Sequence, residues 1–194
     1  MEMPPPVDTT EAPPPAPEEP PAPAMEKMSD EQVADVLASS DQARVDEAKL
    51  AQKKAKNARV KKFAAMMLKE HGDSQKKLMA LTKKLSISVA SSSLSSEIKI
   101  GTSTTQEKLK SMSGEEFDIA YMDAQVNAHQ NLLDALDKKL SPQVTSEELR
   151  TFVGEQRLVV EKHLTEAREI SQAILASSAT ANPPPAPPGS VKSK

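Results

Sequence analysis

The sequence predicts an all-α fold: a ferritin-like four-helix bundle with a long crossover between helices 2 and 3, flanked by disordered Pro-rich arms. Three observations carry this expectation. First, the prolines are segregated. Of 16 in 194 residues, ten lie between Pro4 and Pro23, five between Pro183 and Pro188, and only Pro142 stands between the two groups. Proline removes a backbone donor and clashes with the preceding turn, so the interior permits long helices and the flanks do not. Second, apolar residues of the interior recur at alternating steps of three and four, the period of a helix seam. Third, aromatics make up 2% of the chain and cysteine is absent. That composition disfavours a β-sandwich and excludes a disulfide framework, a thiolate nucleophile and a zinc-thiolate site.

Residues 1–28 are rich in Pro, Ala and Glu and have little to bury. They read as a disordered arm with polyproline-II character. Ser29 then opens S-D-E-Q, an N-cap with glutamine at the third helical position, which signals a helix start. Val33, Val36, Leu37, Ala43, Leu50 and Ala51 continue that helix over 30–56. Asn57 caps a second helix, whose seam is Val60, Ala64, Met67, His71, Ser74, Leu78, Leu81 and Leu85. This strict 4-3 alternation is bundle packing. Residues 86–112 break the pattern. They are Ser/Thr-rich, alternate weakly at Ile87 and Val89, and predict only a short helix over 104–112 with Leu109 and Met112 inward. A connector of this length can cross a bundle from end to end. The third helix runs from Ser113 to Leu140 on a seam of Ile119, Met122, Val126, His129, Leu133, Leu136 and Leu140, and Ser141-Pro142 stops it. Thr145 or Ser146 caps the fourth helix, with Glu147 and Glu148 at its positive end. Its seam is Leu149, Val153, Gln156, Val160, His163, Ala167, Ile170 and Ile174. The bundle is thus expected over 29–177, with a second Pro-rich arm over 178–194.

One constellation carries chemistry. The chain has three histidines, His71, His129 and His163, each on a different helix and each at a seam position where a leucine is expected. Glu47 lies on the stripe of the first helix with Val33, Val36, Ala43 and Leu50. Counted from the helix ends, all four fall near mid-bundle. Inward polar groups at one level from four helices are how bundles build metal sites. Three neutral imidazoles and a carboxylate suit one divalent transition metal, zinc, iron or manganese. A second reading stays open: a hydrogen-bonded polar layer that sets register, with the rings satisfied by Glu47, Gln156, Ser74 or Tyr121. Di-iron bundles use Glu-x-x-His on two helices. Here Leu68 precedes His71 by three and Val160 precedes His163 by three, so a di-iron oxidase is disfavoured and the expected site is mononuclear. No nucleophile elbow or phosphate loop occurs, and the chain is not expected to be an enzyme.

Several of these residues sit in a longer pattern. Glu47 is followed by Lys49, Leu50 and Ala51. Val60, Phe63, Ala64 and Met67 lead into Glu70 and His71. Ser113, Gly114, Phe117, Asp118 and Tyr121 are followed by His129, and His163 by Leu164. Over residues 35–175 the chain resembles the bacterial family named domain of unknown function 4142. The resemblance implies an exported protein with a ferritin-like helical bundle and supplies no activity. The family's second helix continues past its histidine without glycine, and Gly72 departs from that.

The expected location, the periplasm or cell envelope, rests on this resemblance. Residues 1–28 hold no apolar signal stretch, so the chain reads as a mature or truncated form. Residues 49–84 carry twelve Lys/Arg against Glu70 and Asp73. That basic face is balanced by acidic neighbours within the bundle or attaches to an anionic envelope surface. Phe63 is its only aromatic, so nucleic acid is not an expected partner. The Pro-rich arms are spacers or docking peptides for a protein partner. No transmembrane segment is expected.

Overall fold

The computed structural model describes Met1 and residues 27–181. The proline clusters, and with them most of both expected arms, lie outside the described residues; residues 178–181, expected in the C-terminal arm, instead continue the last helix. Those residues form an all-helical bundle without strands: α1 (Asp30–Lys54), α2 (Ala58–Lys84), α3 (Ser93–Ser111), α4 (Gly114–Ala135) and α5 (Glu147–Ala181). No described helix is long and apolar enough to cross a membrane.

The caps behave as the sequence predicts. Ser29 and Gln32 form a capping box on α1, and the Asn57 side chain accepts from the Arg59 N–H at 2.8 Å. α2 runs unbroken through Gly72, where an added Cβ would meet nothing within 4 Å. The departure from the family pattern therefore leaves the helix intact. α5 begins at Glu147, and its eight seam residues are all buried.

Three expectations need correction. The connector is not irregular: α3 fills most of it with 19 helical residues. Ser/Thr-rich segments read as non-helical because their hydroxyls compete for the backbone. Here Ser92 and Ser95 make a capping box, and the hydroxyls of Thr102 and Thr104 bond back to the carbonyls of Ile98 and Ile100. Competition is thus absorbed within the helix. Second, the third predicted helix does not continue as α-helix to Leu140. α4 ends at Ala135 and a π-helical turn spans Leu136–Leu140. Pro142 cannot donate and crowds the carbonyl four residues back, and the ladder widens ahead of it, with the Ser141 N–H on Leu136 O at 3.0 Å. Third, the face of α4 is rotated. Tyr121 and Gln125 are fully buried, whereas Ile119, Val126 and Leu133 are only half-buried.

Hydrogen bonds between elements set the directions. α1 and α2 are antiparallel, joined by Gln52–Lys61 and Gln42–Gln75. α3 runs parallel to α1, joined by Lys99–Asp35 and Lys54–Leu109. It carries the chain back along the bundle before α4 and α5 pair antiparallel through Asp123–Ser171 and Asp137–Arg157. α1 is covered by α2, α3 and α4 and is buried on most of its circumference. The apolar interior falls into two clusters. One contains Ala51, Phe63, Met67, Tyr121 and Ile174; the other contains Val36, Leu37, Leu78, Leu136 and Val160. Between them lies a polar layer.

Candidate metal centre

The three histidines meet in that layer. His71 comes from α2, His129 from α4 and His163 from α5, each 2% exposed or less. Their ring centroids are 5.1–5.6 Å apart. One nitrogen of each ring lies within 4.8 Å of one from each of the other two. The seam positions explain the convergence: Met67 and Leu78 flank His71 on α2, and Val160 and Ala167 flank His163 on α5, so apolar packing on either side holds the rings inward.

Each imidazole is held through one nitrogen. His129 Nδ1–H donates to the carbonyl of Gln125 at 2.8 Å, one turn earlier on the same helix. A carbonyl only accepts, so this contact leaves the lone pair on Nε2. His71 Nδ1 contacts Asp41 Oδ1 at 2.8 Å, and His163 Nε2 contacts Glu70 Oε2 at 2.8 Å. The opposite nitrogens, His71 Nε2, His129 Nε2 and His163 Nδ1, are buried without a hydrogen-bond partner among the described residues.

Electrostatics keep the rings neutral. Burial, then the charges of His163 and Arg44, push His71 down to about 3. Burial, then Arg44 and His71, hold His129 well below the ordinary histidine value, and burial also lowers His163 against the opposing pull of Glu70. Burial raises Asp41 to about 7. Burial of Glu70 is partial, and the His163 N–H and Lys162 outweigh it, so its carboxyl sits below the usual range.

Glu47 is in the same layer, 1% exposed, but its carboxylate is engaged elsewhere. Oε1 accepts from Arg44 Nη2 at 3.0 Å and Oε2 from Gln125 Nε2 at 2.6 Å. The structure brings the three imidazoles together; the Glu47 carboxylate is not in the group whose ligand atoms converge. Of the partners proposed for a purely polar layer, Gln156 and Ser74 bond to each other at 2.9 Å, and neither satisfies a ring. The Tyr121 hydroxyl is also buried without a partner.

Sequence reasoning missed Asp41, Arg44 and Gln125. The signal was present for the first two. Ala34, Leu37, Asp41, Arg44, Ala48 and Ala51 step by 3-4-3-4-3 along α1, and all are buried. Two charged side chains inside an otherwise apolar row mark a polar layer, just as the histidines do. Gln125 lies one turn beyond Tyr121 on the rotated face of α4.

A family model described as "Domain of unknown function (DUF4142)" matches residues 14–170. No curated protein and no solved structure matches the chain.

Proposed function

We propose that this chain, which belongs to the DUF4142 family, is a cell-envelope protein that binds one divalent transition metal in a ferritin-like four-helix bundle. The observation that carries the reading is the state of the three buried imidazoles. Each has one nitrogen tied to an acceptor, and the other is buried without a partner among the described residues. A self-sufficient polar layer satisfies its own atoms, because each buried polar group left unpaired costs about 1–3 kcal/mol. A metal ion supplies the missing partner for all three lone pairs.

The ligand atoms in this reading are His71 Nε2, His129 Nε2 and His163 Nδ1. Asp41, the Gln125 carbonyl and Glu70 are the outer partners that orient them. Zn–N bonds of about 2.0–2.1 Å put tetrahedral nitrogens about 3.3 Å apart, so the ring nitrogens, now within 4.8 Å of one another, draw together on loading. Three histidines leave a fourth position open, as in catalytic rather than structural zinc sites. Neutral imidazole equally suits iron and, with oxygen ligands added, manganese. Glu47, expected as the fourth ligand, acts instead as a neighbouring charge that balances Arg44. The antiparallel pairs α1–α2 and α4–α5, with α3 as the long return, support the ferritin-like arrangement. The envelope location is supported by the resemblance alone.

The test uses the full chain, stripped of metal and then offered zinc, manganese or ferrous iron. One equivalent is retained after desalting. At a hundredfold excess over Kd the stabilisation is about 2.7 kcal/mol, or about 5–10 °C in Tm. His129→Ala abolishes both. No retained metal and no shift with any of the three ions overturns the proposal and leaves the histidines as a structural layer.

One observation favours a second, compatible role. Arg59, Lys61, Lys62, Lys69, Lys76 and Lys77 are exposed along α2, a basic face suited to anionic headgroups. Co-sedimentation with anionic phospholipid vesicles that falls with salt and survives His129→Ala supports it; no co-sedimentation at low salt removes it.

A further inference from the structure

A cleft of about 1250 Å³ lies between α3 and α4. Its floor is α1, through Ser40, Arg44 and Glu47, and His129 is the only one of the three histidines that lines it. The walls are mainly apolar and small, with Glu97, Thr102, Thr105, Asn127, Asn131 and Asp134 interspersed. α3 contributes Leu94, Ile98 and Leu109, and α4 contributes Ala120, Ala124 and Ala128. Those alanines step by four along one face of α4, and their short side chains leave the space open. At the floor, Arg44 and His129 are each less than a tenth exposed, and Arg44 Nε and His129 Nε2 have no hydrogen-bond partner. Arg44 spends Nη2 on Glu47, which leaves its Nε–H spare. Apolar walls with a few polar groups at one end are the make-up of small-molecule pockets.

We propose that this cleft binds a monocarboxylate with an apolar chain. The carboxylate occupies the inner end, between the metal held by His71, His129 and His163 and the guanidinium of Arg44. The chain lies between the alanine row of α4 and Ile98 of α3. The assignment rests on the metal reading above. Three neutral imidazoles leave a bound divalent ion its full charge and an open position, and His129, which lines the cleft, puts the cluster beside its inner end. An anionic oxygen is complementary to the ion and to the spare Arg44 N–H together. A compact anion such as phosphate would leave the apolar walls facing water. Away from the floor the lining carries both signs with acids in excess, Glu97, Glu115, Glu116, Asp123 and Asp134 against Lys108, Lys138 and Lys139. Charge there does not recruit an anion, so selection falls to the inner end and the walls.

The test loads the full chain with cobalt(II), whose visible absorption changes when a ligand enters its coordination shell. Cobalt content after desalting is measured first. Dodecanoate, kept below its micellar concentration, changes the spectrum at least 100-fold more tightly than acetate, and dodecanol leaves it unchanged. Ala124→Phe, which fills the wall, weakens dodecanoate at least tenfold and leaves the acetate response intact. Absence of cobalt uptake overturns the metal reading, and this proposal with it. Stoichiometric cobalt with a spectrum unmoved by dodecanoate overturns the cleft assignment alone. So does acetate binding as tightly as dodecanoate, or an Ala124→Phe protein that still prefers the long chain.

Discussion

His163 and His129 leave opposite nitrogens unpaired among the described residues, and the difference is imposed by their partners. His129 donates through Nδ1 to its own helix, whereas His163 reaches Glu70 on α2 through Nε2. Glu70 therefore orients a ligand and adds negative charge behind it without joining the cluster. Glu70→Gln keeps the shape and an acceptor oxygen but removes that charge. Metal affinity, measured by competition with a chelator, is expected to fall 10–100-fold, with the metal-free Tm within about 2 °C of the parent. Unchanged affinity would detach Glu70 from the site. At this scale the sequence was legible where a residue broke an apolar row. Three histidines on seams stand out because burial of imidazole is uncommon. Asp41 and Arg44 broke a row equally well, but a charged residue in mid-helix reads as a solvent-facing one. Only the cover of α1 by three other helices reverses that reading.

The start of α4 shows what the Ser-Gly-x-x-Phe-Asp-x-x-Tyr run does. Ser113 makes no side-chain cap, and Gly114 holds φ +62°, a conformation that costs a side chain about 1–2 kcal/mol. Phe117 and Tyr121 stack with centroids 6.1 Å apart. Asp118, 2% exposed, accepts from the Lys56 and Asn57 N–H groups and ties α4 to the α1–α2 turn. Asp118→Ala leaves two donors unmatched and is expected to cost about 2–3 kcal/mol in urea unfolding. Gly114→Ala should cost about 1 kcal/mol. Ser86 is the converse case: it holds φ +56° without being glycine, and Ser86→Gly should gain about 0.5–1 kcal/mol. If Asp118→Ala left the urea midpoint in place, the tie would be ornamental. α1, α2 and α5 were legible because period and caps agreed; α4 was legible from its helical period, although its buried face is rotated from the expected seam and Ser113 makes no cap. α3 was not, because two of the five residues on its face of Leu94, Ile98, Thr102, Thr105 and Leu109 carry hydroxyls, and its hydroxyl-to-carbonyl bonds are invisible to propensity.

Across the whole molecule, a polar layer splits the apolar interior into two clusters, and the metal-free protein should be acid-sensitive as a result. Burial holds His71 at about 3 and His129 well below its ordinary value, while it raises Asp41 to about 7. Between about pH 4 and 6.5 the unfolded chain has both imidazoles protonated and the aspartate ionised. Unfolding in that window takes up a proton on His71 and one on His129, with a further contribution from His163, which burial also lowers, and releases one from Asp41. The unfolded state thus binds more protons, and stability rises with pH through the window. A net uptake of one proton is worth about 1.4 kcal/mol per pH unit, so acidification from pH 6.5 to 4.5 should lower the metal-free Tm by about 5–10 °C. His129→Leu removes one of these uptakes and should flatten the profile. Bound metal competes with protons for the same lone pairs, so the loaded protein should hold its Tm to lower pH and then lose it steeply as the ion leaves. Melting curves across this range, with and without metal, decide the matter. A metal-free Tm that rises on acidification would mean that Asp41 outweighs the histidines, and the layer would then be better described as a buried acid with imidazole neighbours than as a set of waiting ligands.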